Sequence, residues 1–281
     1  MINPDSFIPD YLLIGHIAHD VTPNGPMLGG TVSYAAQMAL AFGLRVAILT
    51  SSAKAEPLLA DLPPAAAVLS TPAEHTTTFD NRYTGSSRIQ YLYHRANTLH
   101  PGLLPPAWRG APLVHLAPIA YEVDPAFMTA FDGARVCVTP QGWMRQREAD
   151  GRVTAIPWTS APDILPRAAL TVMSEEDIRH LPGAAQAFAN LAPLMVVTRA
   201  EHGGTIYESG VARDFAAYPV EQIEPTGAGD IFATALHIAL AQTGDLDRAI
   251  RAATYLAGLS VTRVGRDSVP TPDETAQALA L

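Results

Sequence analysis

The sequence predicts an α/β fold, with a mostly parallel central sheet flanked by helices. Three observations predict it. Short, continuous apolar runs such as Tyr11 to Gly15 and Leu194 to Thr198 lack polar alternation, the mark of strands covered on both faces. Helix starts marked by small or capping residues recur along the chain, at Gly29-Gly30, Ser174 and Gly227 to Gly229. One stretch, Thr76 to Arg95, switches to strict alternation, so an antiparallel hairpin interrupts the α/β pattern.

Each element follows from its residues. The first strand, Tyr11 to Gly15, runs into His16-Ile17-Ala18-His19-Asp20. Open parallel sheets bind ligands at the carboxyl ends of their strands, which places Asp20 well for a polar substrate. A carboxylate accepts two hydroxyl hydrogens at once and suits a vicinal diol; an exposed turn aspartate is the plain alternative. His16 and His19 have no further ligand at metal-binding spacing. Gly29 and Gly30 open a helix that runs to about Phe42 and stops at Gly43. Arg45 to Thr50 is the second strand, Glu56 to Leu62 a helix ended by Pro63-Pro64, and Ala67 to Ser70 a further strand. The hairpin has arms Thr76 to Tyr83 and Arg88 to Arg95, with its turn at Thr84-Gly85-Ser86. Its alternation gives it one buried and one wet face.

Leu103 to Trp108 is a proline-rich link, Leu113 to Ala117 a strand, and Pro125 to Phe131 a helix with proline in its first turn. Arg135 to Thr139 is the next strand and leads into Pro140-Gln141-Gly142-Trp143-Met144-Arg145. Gln141 and Arg145 thus lie at another strand's carboxyl end, where Arg145 can neutralise phosphate charge. Core packing for Trp143 and a solvated loop for Arg145 are the competing readings. Ala169 to Met173 is a strand, and Ser174 caps a helix whose first turn holds Glu175, Glu176 and Asp177. Leu194 to Thr198 ends in Arg199 to Gly204, and a second hairpin turns at Ser209-Gly210. Asp245 caps a helix from Leu246 to about Arg263, and a last helix spans Pro272 to Leu281.

The most informative stretch is Glu224-Pro225-Thr226-Gly227-Ala228-Gly229-Asp230 before an apolar helix. Small residues in a first helical turn leave backbone N–H groups bare, at the positive end of the dipole, and so make a site for phosphate oxygens. Asp230 is too close to that site to ligate phosphate itself. A carboxylate there suits a base that takes the proton of an attacking hydroxyl. A glycine-rich turn with a dipole-stabilising aspartate would also produce the pattern.

Pro-Thr-Gly-Ala-Gly-Asp before an apolar helix resembles the C-terminal signature of the ribokinase-like (PfkB) carbohydrate kinases. The resemblance extends in order from Gly15 to Ser268. It implies a three-layer fold with a small β lid, written here as one domain over 1–281 with the lid near 73–98 and residues near 16–28. It also implies phosphoryl transfer from ATP with Mg2+, and possible use of a monovalent cation such as K+ at the loop Val264 to Ser268. By carry-over, Gly227, Ala228 and Gly229 form the anion hole and Asp230 is the base. Asp20, Gly29, Gly30, Ser33 and Tyr34 hold the substrate. Phe79 and Tyr91 are candidates for the lid's inner face. Thr198, Gly203 and Thr226 line the donor phosphates, and Ala253, Thr254 and Ala257 flank the adenine. Glu224 stands where the family more often has aspartate, and Asp177 where it has glutamate; both are assigned to the metal. Gln141 and Arg145, with Gly29 to Tyr34, look like the plant myo-inositol kinase branch, so a cyclitol or similar polyol is the favoured acceptor. A nucleoside kinase and a non-catalytic sugar-binding protein on the same scaffold are the alternatives.

The composition supports a folded enzyme. The chain has 281 residues, 48% of them hydrophobic, enough for a large core, and a net charge of −9. That charge disfavours nucleic acid and anionic membranes as partners. A lone cysteine, Cys137, rules out a disulfide framework within the chain. Met1 to Asp10 lacks the apolar core of a signal peptide, and no run is long enough to cross a bilayer. The expected setting is cytoplasmic, with a small polyol as substrate and a homodimer through the lid as the expected assembly. The Walker Gly-x-x-x-x-Gly-Lys-Ser/Thr motif and the dinucleotide Gly-x-Gly-x-x-Gly after the first strand are both missing.

Overall fold

The computed structural model describes residues 7–281 apart from Asn24, Gly85, Ser86 and Asp132, with the backbone alone at Tyr83, Thr84, Ser87, Arg88 and Arg266. The hairpin turn expected at Thr84-Gly85-Ser86 and the first six residues thus fall outside what is described.

In chain order, the first elements are β1 (Tyr11–Ile14), β2 (Ala18–Thr22), β3 (Gly25–Gly29), α1 (Thr31–Ala41), β4 (Val46–Ala53), β5 (Ala67–Ala73), β6 (Thr78–Thr84) and β7 (Ser87–His94). Then come β8 (Leu113–Leu116), β9 (Arg135–Val138), β10 (Arg145–Arg147), β11 (Val153–Ala155), α2 (Ala161–Ile164), β12 (Leu170–Ser174), α3 (Glu175–Ile178) and α4 (Ala184–Ala189). The chain closes with β13 (Leu194–Thr198), β14 (Gly204–Glu208), β15 (Val211–Phe215), α5 (Ala228–Thr243), α6 (Leu246–Ser260) and α7 (Pro272–Leu279).

The large sheet has nine strands in the order β15-β14-β13-β12-β9-β8-β1-β4-β5. It is parallel from β5 to β13, and only β14 runs the other way, pairing antiparallel with β13 and with β15. The continuous apolar runs have a direct cause here. Leu12 and Ile14 face a core holding Trp108, Phe127, Trp143 and Trp158, whereas Tyr11 and Leu13 face Val32, Ala35 and Ile238 on the opposite side. With both faces covered, no position in such a strand favours a polar residue. The helical layer of α1, α5, α6 and α7 covers one face; α2, α4 and short 3-10 turns cover the other.

Two predicted helices are 3-10 turns instead. Pro57–Asp61 and Pro125–Thr129 each begin at a proline and are capped from outside by Glu56 and Asp124. Five residues per segment are too few for a settled α-helix, and the i→i+3 pattern closes a short segment more readily. Cys137 is buried, and burial pushes its thiol pKa well up, so it stays an inert core group.

The smaller sheet, order β3-β2-β6-β7, forms the lid. β2 pairs with β3 antiparallel and with β6 in parallel. His16 ties the lid to the end of β1: its Nε2 meets the Asn97 carbonyl at 2.9 Å and its Nδ1 the Thr77 hydroxyl at 2.7 Å. Burial pushes its pKa down, so the ring is a neutral structural joint. The hairpin β10–β11 is a further element. Its turn carries Asp150-Gly151, with Gly151 at φ 87°, and it reaches the lid through a bridge between Tyr91 and Arg152. No helix among the described residues is long and apolar enough to cross a membrane.

Candidate active site

The site is built where β1, β8, β9 and β12 end and where α1 and α5 begin. Gly227 caps α5 at φ 81°, a left-handed conformation that glycine adopts without strain. The ring of Tyr34 lies against it; a Cβ on Gly227 would come within 2.4 Å of that ring. The Ala228 N–H donates to the Pro225 carbonyl at 3.2 Å, and the Ile231 N–H to Gly227 at 2.9 Å. The N–H groups of Gly227, Gly229 and Asp230 have no carbonyl partner at this helix start, so these amides are available to an anion. Ala228, expected to share in the anion hole, has already spent its amide on the turn.

Asp230 is half-buried in the first turn of α5. Desolvation pushes its pKa up to about 6, opposed by a hydrogen bond with Thr31 and assisted by the nearby negative charge of Asp177. Thr31 is itself buried and opens α1, directly after the two glycines. It was not among the expected site residues. Its position after a Gly-Gly turn at a helix start is the signal that could have marked it.

The Gly29-Gly30 turn brings the acidic groups together. A Cβ on Gly29 would sit 1.9 Å from Asp20 Oδ2, so the carboxylate of Asp20 rests on bare backbone. Gly30 has φ 87°, and a Cβ there would meet the His16 carbonyl oxygen at 2.6 Å. Tyr34 lies among three carboxylates. Burial first, then the charges of Asp230, Asp20 and Glu224, push its pKa up to about 12, so its hydroxyl keeps its proton. Ser33 departs from expectation. It is buried and its hydroxyl donates to the Gly29 carbonyl at 2.7 Å, so it holds the turn rather than facing a substrate.

The lid also requires a correction. Phe79 pairs with Leu92, and Asp80 with Tyr91, so Phe79 and Tyr91 lie on opposite faces of the hairpin. Phe79 packs with Ala18, Leu92, Ile119 and Ala120 on the inner face. Tyr91 belongs to the outer face, under the Arg82 guanidinium at 4.5 Å and beside Tyr93. The alternation was legible, but the register shift at Thr78/Phe79 was not.

Gln141, Arg145 and Asp177 converge. Gln141 Nε2 donates to Asp177 Oδ1 at 3.3 Å, and Arg145 Nη2 lies 3.7 Å from the same oxygen. Arg145 also donates to Gln90 of the lid at 3.1 Å. Asp177 Oδ2 accepts the Ser174 N–H at 3.0 Å in a capping box. Each oxygen thus meets a protein group and keeps a further lone pair, which leaves room for a metal or its water at Asp177. Glu224 accepts the Thr226 hydroxyl at 2.5 Å and keeps lone pairs to spare. No cluster of three His, Cys, Asp or Glu among the described residues would cage a metal. Magnesium needs no such cage, because donor phosphates and water supply most of its shell; Glu224 fits as the carboxylate. In the loop Val264 to Ser268, the Ser268 hydroxyl is buried without a partner.

The donor side is mixed. Thr198 ends β13 half-buried, its hydroxyl directed to the Met173 carbonyl at 3.4 Å. Gly203 is buried at φ 76°, and a Cβ there would fall 2.0 Å from the Phe215 carbonyl oxygen. Packing under β15, rather than approach of a ligand, explains that glycine. Ala253 is fully buried between α5 and α6 and cannot touch a base. Ala257 and Thr254 are only partly covered, and the Thr254 hydroxyl has no partner. Beside them Tyr218 lies on Gly258 and makes an edge contact with Tyr255 at 5.0 Å.

A loop clamp was missed as well. Glu122 is fully buried and accepts the N–H groups of His16 at 3.1 Å, Ile119 at 3.0 Å and Ala120 at 2.6 Å. It fixes the loop after β8, including Tyr121 at φ 60°, an uncommon conformation for a bulky residue. A glutamate following an apolar loop carries no sign of burial in the sequence.

A family model described as pfkB family carbohydrate kinase matches residues 88–273. The chain is similar to a cytidine kinase of Thermococcus kodakarensis, 25% identical over 252 residues, covering 80% of this chain and 86% of the relative. It is 38% identical over 80 residues to the bifunctional protein HldE of Bradyrhizobium diazoefficiens, spanning 28% of this chain and only 16% of that protein's length. Among solved structures, a pyrophosphate-dependent kinase in the ribokinase family, bound to a pyrophosphate analog and myo-inositol, superposes with a TM-score of 0.78 at 19% identity, over 95% of this chain and 99% of that one. The ribokinase of Thermotoga maritima gives a TM-score of 0.74 at 18% identity, over 96% and 99%. The likeness shows a ribokinase-like fold. With the family match spanning well over half of the sequence, the chain belongs to the pfkB family of carbohydrate kinases.

Proposed function

We propose that the chain phosphorylates a hydroxyl of a small sugar or cyclitol, with a myo-inositol-like ring as the favoured scaffold. One observation carries the reading: Asp230, a carboxylate with a raised pKa, stands beside unpartnered helix-start amides and bonds Thr31, next to the Gly29-Gly30 turn on which the Asp20 carboxylate rests. Asp20 would accept hydrogens from the acceptor's hydroxyls and align one of them. Asp230 takes that hydroxyl's proton as its oxygen bonds to the transferring phosphorus and the bond to the leaving phosphate oxygen breaks. The Gly229 and Asp230 amides stabilise charge on the phosphoryl oxygens. Magnesium, when bound near Glu224, supplies neutralisation of donor charge. Lid closure over Phe79 and Arg145 keeps water out.

ATP is the donor this reading takes first. Pyrophosphate is the competing donor, favoured by the burial of Ala253 and by Tyr218 lying against Gly258, which narrow the flank expected to hold a base. The buried, unpartnered Ser268 hydroxyl supports a monovalent cation in the last loop. The reading places the enzyme in the cytoplasm, and exposed Val21 and Met27 on the lid support pairing of two copies there. A nucleoside acceptor is the second reading, favoured by the similarity to the cytidine kinase over most of both chains. The test is turnover with either donor against myo-inositol, fructose, ribose, 2-keto-3-deoxygluconate and nucleosides. Phosphorylation of a polyol supports the first reading, preference for a nucleoside the second, and no transfer to any acceptor contradicts both.

A further inference from the structure

Between the lid and the start of α3 lies a cavity of about 470 Å3, lined by Gln90 and Arg152 on one side and by Gln141, Arg145, Asp177 and Arg179 on the other. Its size suits a small ligand. Its wall has an unusual charge for this protein. Three guanidinium groups, those of Arg145, Arg152 and Arg179, face two carboxylates, those of Glu176 and Asp177, so the wall is net positive in a chain whose net charge is −9. The pairings are partial. Arg179 lies 3.3 Å from Glu176 at the mouth, and Arg145, mostly buried, lies 3.7 Å from Asp177 while Gln90 steadies it from the lid. Arg152 is exposed at the cavity's edge and makes no ion pair among the described residues; its backbone N–H donates to Asp150 and its main chain bridges to Tyr91.

Other arginines near the lid are occupied differently. Arg147 donates to the Leu92 carbonyl at 2.6 Å, and Arg95 to the Tyr121 carbonyl at 3.1 Å, so they brace backbone. Both keep their charge, and with Arg145 they line an adjoining cavity under Phe79 and Leu92, so the positive region extends from this cavity along the lid. Guanidinium forks match phosphate and carboxylate geometry, and a positive cleft on an acidic protein concentrates anions where its neighbours repel them. The cavity adjoins the reaction centre, because Asp177 lies within electrostatic reach of Asp230. The carboxylates Asp20 and Asp230 lie outside its lining, and Asp177 is the residue that links the basic cavity to them.

We propose that the acceptor is an anionic polyol, one that bears a phosphate or carboxylate group, held by Arg145, Arg152 and Arg179, besides the hydroxyl that is phosphorylated. The inference rests on the kinase reading above and narrows its substrate class. The lining favours the acceptor as the source of the anion, since the lid residue Gln90 and Arg152, which bridges to the lid at Tyr91, both contribute to it.

The experiment compares matched acceptors, myo-inositol with myo-inositol monophosphate and glucose with gluconate, each with ATP and with pyrophosphate, in the wild type and in Arg152→Gln. Binding of the same compounds is measured by calorimetry. The charged member of at least one pair should show a kcat/KM roughly tenfold or more above its neutral partner, the scale of one charge-assisted hydrogen bond. Arg152→Gln should abolish that preference by raising the acceptor KM with kcat largely kept. Equal or better use of the neutral member in every pair, or a preference that survives Arg152→Gln, overturns the proposal. So does a variant that raises the KM of pyrophosphate alone, which would assign the wall to the donor. If no acceptor is phosphorylated, the kinase reading falls on its own. Calorimetry then decides the anion site: binding of the charged compound that weakens in Arg152→Gln upholds it, and no binding removes it.

Discussion

Asp230 is governed by opposed influences, desolvation raising its pKa and the Thr31 hydrogen bond lowering it, with a net value of about 6 against an ordinary 3.8. As a base it must be ionised, so kcat/KM should fall as pH drops through about 6; a profile flat down to about 3.8 would contradict the assignment. The same shift bears on stability. Because the folded-state pKa is raised, the favourable contribution of the protonated group is present below about 3.8 and is lost as pH rises through about 6. At neutral pH the charged Asp230 therefore destabilises the fold, and Asp230→Asn should melt at a higher temperature than the wild type; an equal or lower melting point would show that the carboxylate is not strained by its surroundings. Gly29 tests the acceptor side. An alanine there collides with Asp20, and kcat/KM should fall by about 10–100-fold while circular dichroism stays native; unchanged kinetics would detach Asp20 from substrate binding. At this scale the sequence revealed the residues better than their roles. Asp20, Gly29, Gly30, Tyr34 and Asp230 share one neighbourhood, as motif reasoning expects. Ser33, Tyr91, Ala253 and Gly203 serve packing or lie elsewhere, because side-chain direction depends on register and neighbouring strands, which a motif does not contain.

At the scale of elements, the helix starts do the positioning. α5 offers bare amides because glycine, not a capping serine or aspartate, precedes it, and α1 offers Thr31 because two glycines precede it. The loop after β8 depends on a different device, the buried Glu122 and the N–H groups that converge on it. Glu122→Gln replaces an accepting oxygen with a donor facing other donors, and should cost on the order of 2–3 kcal/mol, measured as a lower urea midpoint; full stability would mean that the loop holds itself. Strand positions were readable, since burial on both faces leaves an unbroken apolar run. The β10–β11 hairpin was not read, although Asp150-Gly151 marks its turn; its strands are three residues long and mostly polar, too short to display a period. That omission hid Arg152, and with it the basic wall.

For the whole molecule, charge is distributed unevenly: an acidic chain gathers Asp20, Asp230 and Glu224 around Tyr34, and Arg145, Arg152 and Arg179 around a separate cavity beside the lid. The main strands and the hairpin of β6 and β7 were legible from local periodicity, whereas β2 and β3, the other half of the lid, came only through the family resemblance because they are short and carry no clear alternation. The cleft between the sheet and the lid depends on contacts between residues far apart in sequence, such as Arg145 with Gln90 and Asp177, and no local pattern encodes these. The central claim is that Asp230 faces an alcohol while neighbouring amides hold the phosphoryl group. Its most direct test is the turnover number of Asp230→Asn on the best acceptor, with donor affinity measured alongside. A loss on the order of 10²–10⁴-fold with donor affinity retained is the predicted result; near-normal turnover in the variant would contradict the account.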